Sequence, residues 1–178
     1  MGLVYRVRQF WHTLIDVPSP DALEQVRLML TTEQFALFKS LKPSDQAHSL
    51  RVFEKLKNDG ESHPDLILAA LLHDIGKRYY PLRLWERVVI VIGNALFPSL
   101  MHKLFQETQQ KDSKITFWRR PFVIANHHAA WGAELVAKTG ASPLAVALIK
   151  DHQNRIPSDF QTEEEELLMK LQNADCNS

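Results

Sequence analysis

Four histidines and two aspartates are set apart by the residues around them: His48 in AHSL, His73 and Asp74 in LLHDIGK, His128 in NHHAAWGAEL, His152 in KDHQ and Asp175 in NADCNS. His73 and Asp74 close the most apolar stretch of the chain, LILAALLHD, where an isolated charge is very costly and each polar group needs a partner. Taken alone, the pair can cap a helix locally, because short motifs arise often without function. The six residues together form a metal-site inventory, since imidazole nitrogens mixed with carboxylate oxygens suit first-row transition metals better than calcium. Neighbouring residues on a helix point about 100° apart, yet side chains of different length, such as His73 and Asp74, can converge on one ion beyond the helix end. His12, His63 and His102 have no motif around them, and Cys176 lacks the base and orienting group that a nucleophile needs.

Bringing these residues together requires helices. Helical punctuation recurs along the chain while period-2 alternation bounded by hairpin turns is nearly absent, so the fold class is all-α, a helical bundle. Ser19-Pro20 reads as the N-cap and first position of a helix to Leu30, and Thr32 as the cap of another to about Leu41. Pro43-Ser44-Asp45 opens a helix that carries His48 in its first turns and ends at Asn58-Asp59-Gly60. The next starts at Pro64-Asp65 and stops at Gly76, read as a left-handed C-terminal residue, and its apolar run marks it as the buried central helix. Further helices are expected at about 84–97 and 99–107, followed by a polar loop QQKDSK. Others are expected near 117–125, from about His128 to Lys138 with Gly140 as the stop, and from Ser142-Pro143 to about His152. A last helix follows Thr162, with four glutamates at its positive end and Leu167, Leu168 and Leu171 to seat it.

At 178 residues the chain fits one domain whose core is large enough to stand without a structural metal, so a metal here would serve chemistry. Lys plus Arg and Asp plus Glu both count 21, which leaves no global field to draw in nucleic acid. The single cysteine forms no internal disulfide and fits a reducing compartment. Arg6 and Arg8 break the apolar core that a secretory signal needs, and Arg6 stands where a myristoylation pattern wants Ser or Thr. The longest uncharged stretch, 88–101, is too short to span a bilayer, which takes about 20 apolar residues. The expected location is cytoplasmic. Arginines 78, 83, 87, 119 and 120 flank Trp85, VVIVI and Trp118, so the segment around 82–101 suits either peripheral membrane contact or a helical hairpin packed on its own core or on a second copy.

The order H, HD, H, H, D over residues 44–178 resembles the HD-domain superfamily of metal-dependent phosphohydrolases, and HAAWGAEL follows its H-x-x-x-G-A-E-L pattern. On that resemblance residues 44–178 form the HD domain, with helices of 1–43 packing on it and an added helical insertion at about 78–117, where this chain departs from the family. The resemblance implies that His48, His73, Asp74 and Asp175 hold one ion and that His128 and His152 hold a second, with Asp74 bridging. The cofactor would be one or two divalent transition-metal ions, drawn from Mn, Fe, Co, Ni and Zn. His128 is chosen over His127 because it stands four residues before Gly132. The implied reaction is hydrolysis of a phosphate ester or anhydride by metal-activated water, on a small phosphorylated substrate such as a nucleotide. Asp74 and Lys77 would be the catalytic residues, Lys77 offering positive charge to the phosphate, although the helix dipole alone favours a solvated lysine there. Arg51, one turn after His48, is a weaker candidate for the same task. Two alternatives stay open: relatives with this ligand order include di-iron oxygenases, and a scaffold with complete ligands can serve as a non-catalytic metal-binding or sensor module.

Overall fold

The computed structural model describes residues 16–79, 86, 120–154, 156 and 161–178. All regular structure among them is helical: α1 (Pro20–Met29), α2 (Thr32–Lys39), α3 (Pro43–Asn58), α4 (Pro64–Leu72), a 3-10 turn (Ile75–Arg78), α5 (Arg120–Ala137), α6 (Pro143–Asp151) and α7 (Glu163–Cys176). The helices expected at 84–97 and 99–107, the QQKDSK loop and the 82–101 segment lie outside the described residues.

Local chemistry accounts for most of the boundaries. The Ser19 hydroxyl accepts from the Ala22 N–H at 3.2 Å and opens α1. Thr31, one residue before the expected cap, opens α2, because it is Thr31 whose hydroxyl and backbone pair reciprocally with Gln34 in a capping box. Thr162 and Glu165 repeat that arrangement at the start of α7. Helix α3 ends at Gly60, which has φ +85° and lets the Glu61 N–H reach the Leu56 carbonyl at 3.0 Å. Gly140 closes the turn after α5 with φ +75°.

Two boundaries differ from expectation, and both bear on the site. Helix α4 stops at Leu72 with His73 as its C-cap, and the chain turns at Asp74 into the 3-10 turn, so Gly76 is not a left-handed terminator. Its role is close approach: a Cβ on Gly76 would overlap the carbonyl oxygen of His128 and lie 2.8 Å from the Gly132 nitrogen. The helices expected near 117–125 and 128–138 form one continuous helix, α5. Asn126 and His127 do not interrupt it, since neither removes an N–H as proline does.

Helix α4 is the centre of the bundle. Its Leu66, Ala69, Ala70, Leu71 and Leu72 are fully buried, and α3, α6 and α7 pack around it while α5 packs on α6 and on the 3-10 turn. Val26 of α1 and Phe38 of α2 belong to the same core cluster as Leu72, Ile149 and Leu171. Ser142 at the start of α6 donates to Asp65 at the start of α4 at 2.6 Å, tying the two helices together at the end remote from His73. No helix among the described residues is long and apolar enough to cross a membrane.

Candidate metal centre

Five helices and the 3-10 turn end or pass at one point and deliver the six residues singled out in the sequence. His48 comes from the second turn of α3, His73 from the C-cap of α4, Asp74 from the step into the 3-10 turn, His128 from α5, His152 from the C-cap of α6 and Asp175 from the last turn of α7. The four imidazoles meet edge to face in a row, His48–His73–His152–His128, with ring centroids 5.4, 5.1 and 5.2 Å apart.

The donor atoms fall into two triads, each within 4.8 Å: His48, His73 and Asp175, and Asp74, His128 and His152. In the inner triad, His128 Nε2 is 3.3 Å from His152 Nε2 and 3.3 Å from Asp74 Oδ1. In the outer triad, Asp175 Oδ1 is 2.8 Å from His48 Nε2 and 3.7 Å from His73 Nε2. Two ligands at about 2.1 Å from a tetrahedral ion stand about 3.4 Å apart, so both triads have the right span. Asp74 faces both: its Oδ1 points to His128, while its Oδ2 lies 3.6 Å from His73 Nε2 and 4.0 Å from His48 Nε2.

The far side of each buried ring fixes its proton. Nδ1 of His73 donates to the Ala70 carbonyl at 3.0 Å, that of His128 to Ile124 at 3.0 Å and that of His152 to Ile149 at 2.7 Å. A carbonyl only accepts, so the neutral ring carries its hydrogen on Nδ1 and turns a lone pair inward from Nε2. His73 Nε2 is then a buried atom with no hydrogen-bond partner, and His128 and His152 point lone pairs at each other. Unsatisfied buried acceptors are costly, and a cation in each triad would resolve all three. The donor set fits a divalent transition metal.

Electrostatics favour the ligand forms. Burial, reinforced by neighbouring imidazoles, pushes His152 down to about 3 and lowers His73 against the pull of Asp74 and Asp175, so both rings are neutral at pH 7. Burial alone would raise Asp74, but Lys77, His73 and His128 outweigh it and hold the carboxyl well below its ordinary range. Asp175 is likewise lowered against its burial, chiefly by the hydrogen bond from His48. Lys77 Nζ stands 2.5 Å from Asp74 Oδ2, its side chain a quarter exposed, at the boundary between the buried carboxylate and solvent.

The structure separates the other candidates from this cluster. His127 stacks on Trp131 at 5.6 Å, outside both triads. Arg51 pairs with Asp16 at 2.8 Å. His63 caps α4 by accepting from the Asp65 N–H, and Cys176 is exposed. His12 and His102 lie outside the described residues. The carbonyls of Ala70, Ile124 and Ile149 were not foreseen, although they stand three or four residues before each histidine and helix periodicity points to them.

A family model described as HD domain matches residues 46–176. The chain belongs to the HD domain family. The match takes in all six clustered residues and leaves α1 and α2 outside it. Comparison with curated proteins and with solved structures gave no match. Members of the HD family bind divalent metals, and this HD domain presents two His/Asp triads compatible with that pattern.

Proposed function

We propose that this HD domain is a metal-dependent hydrolase of phosphate esters or anhydrides, acting in the cytoplasm on a small phosphorylated substrate such as a nucleotide. The observation that carries the reading is the division of Asp74, one oxygen toward His128 and the other toward His48 and His73. A carboxylate so placed can bridge two ions, one in each triad. His48, His73 and Asp175 would hold one ion, His128 and His152 the other, and Asp74 both. Such a pair supplies Lewis acidity toward a phosphoryl oxygen and acidifies a water molecule.

Charge supports an anionic substrate. The four imidazoles are neutral as ligands, so the two aspartates contribute the only negative charges of the donor set, fewer than two divalent ions bring. Lys77 adds a further positive charge at the solvent side. Its ammonium, a point charge on a flexible stem, can turn from Asp74 toward a phosphate without moving the backbone. Asp74 and Lys77 therefore hold the catalytic roles: Asp74 places both halves of the centre, and Lys77 steadies the charge that grows on the phosphate.

The test is metal analysis of the purified protein, followed by assay against phosphomonoesters, phosphodiesters and nucleotide anhydrides with Mn, Fe, Co, Ni and Zn in turn. Release of phosphate or of a nucleotide monoester by the loaded protein is the expected result. A mixed-valence iron pair that consumes dioxygen and leaves phosphates intact points instead to the oxygenase reading. Loaded protein inert toward both substrate classes points to the sensor module.

A further inference from the structure

The two triads are not equivalent. The inner residues are almost wholly buried, whereas the His48 and Asp175 side chains of the outer triad are 25% and 32% exposed. The rings of the inner triad, and His73, are oriented by carbonyls of their own helices. His48 is not. Its Nδ1 faces the hydroxyl of Ser178 at 3.2 Å, a residue from the other end of the chain.

A hydroxyl both donates and accepts, so it does not by itself decide which ring nitrogen carries the proton. Here the second neighbour decides: Ser178 Oγ lies 3.0 Å from the Asp175 carbonyl oxygen, which only accepts. The hydroxyl hydrogen goes to Asp175, which leaves the oxygen to accept from His48 Nδ1–H whenever the ring carries its proton there. The same Asp175 offers its carboxylate to the opposite side of the ring, 2.8 Å from Nε2. With an ion in the outer triad, Asp175 and Ser178 would thus grip the imidazole from both sides, one giving a fellow ligand and the other accepting Nδ1–H so that the Nε2 lone pair faces the centre. Without an ion, Nε2–H donates to Asp175 instead. Without the hydroxyl, Nδ1–H has no acceptor when an ion binds, so the proton favours Nε2, where it bonds Asp175 and competes with coordination.

We propose that Ser178 is a positioning residue for His48 and thereby sets the affinity of the outer triad for its ion, making this the exchangeable half of the centre. The role rests on the reading of the triads as ion sites. Loss of such an outer partner lowers metal affinity by about 10- to 100-fold.

The experiment is Zn2+ titration of the metal-free full chain against a chelating competitor, for wild type, Ser178→Ala and Ser178→Thr, with circular dichroism to check the fold. Two ions of unequal affinity are expected in wild type. In Ser178→Ala the weaker should bind at least about 10-fold more weakly with the tighter unchanged, and Ser178→Thr, which keeps the hydroxyl, should restore it. In the Zn2+-loaded protein, the His48 Nδ1–H proton should be visible by NMR in wild type and Ser178→Thr and lost to exchange in Ser178→Ala. Wild type that takes up fewer than two ions overturns the two-ion reading and this role with it. Two ions bound in wild type with both affinities unchanged in Ser178→Ala overturns the role of Ser178 alone.

Discussion

The backbone of Gly76 rests directly against the carbonyl of His128, and this contact sets how closely Asp74 approaches the His128 ring. Gly132, one turn beyond His128, completes the seam: a Cβ there would lie 3.2 Å from the Gly76 nitrogen and from Ile75 Cγ2. The glycines of HDIGK and HAAWGAEL therefore serve one purpose, letting the 3-10 turn and α5 touch backbone to backbone.

Gly76→Ala should consequently damage the centre more than its small volume suggests. The added carbon has no room against main-chain atoms, so the turn must move and take Asp74 with it. A stability loss of about 1–3 kcal/mol is expected, together with loss of the inner ion. Gly132→Ala, whose nearest contacts are looser, should cost less. Denaturant melts and metal content of both variants check this; Gly76→Ala with native metal content would show that the seam does not position Asp74.

Asp74 and Lys77 touch each other but should fail differently. Asp74→Ala removes the group shared by both triads and leaves the inner histidines without a carboxylate, so metal retention and turnover should both collapse. Lys77→Ala should keep its metals and lose about 10- to 100-fold in kcat/KM, the scale of one charged hydrogen bond to phosphate. Metal analysis beside steady-state kinetics separates the two; full metal content and full rate in Asp74→Ala would refute the assignment.

Much of this arrangement was legible in the sequence because the ligands occur at helix ends and turns marked by strong local signals. Pro43, Pro64 and Pro143 fix where α3, α4 and α6 begin, and from those starts His48, His73 and His152 fall at predictable depths. What stayed hidden depends on contacts between distant segments. Gly76 carries the same letter whether it ends a helix by a positive φ or makes room for His128, and only the packed structure distinguishes the two. Ser178 could not be seen at all, since nothing in its neighbours ties it to a histidine 130 positions earlier. The continuity of α5 was missed because Asn126 and His127 are weak helix formers, a preference that tertiary packing overrides.

The depressed histidines give the metal-free protein an acid-sensitive stability. An unfolded chain protonates His73 and His152 as pH falls through about 6.5, while the folded rings stay neutral, His152 down to about 3. The unfolded state then binds more protons, and stability falls by about 1.4 kcal/mol per pH unit for each excess proton. Below the ordinary aspartate value of 3.8 the contribution of Asp74, whose carboxyl is held low, is lost as well. Denaturant midpoints of metal-free protein should therefore decline steadily from pH 7 to pH 4. A flat profile over that range would mean the rings are not buried in neutral form.

Asp175 stands three residues from the end of the sequence, where a chain is usually frayed. It is held nonetheless, because Leu167, Leu168, Leu171 and Ala174 bury one face of α7 against the core and carry its last turn to the outer triad. Deleting residues 175–178 removes no residue of that face, so the helical content should survive. The outer triad, however, loses its only carboxylate besides the shared Asp74, and His48 loses its hydroxyl partner in the same step. The truncated protein should keep the inner ion, lose the outer one and lose turnover, whereas Asp175→Asn, which spares Ser178, should weaken the outer ion less. Circular dichroism with metal analysis on both variants decides the matter: two ions retained at native affinity after truncation would remove Asp175 from the centre, and a collapse of helicity would mean that the last turn supports the fold as well as the metal.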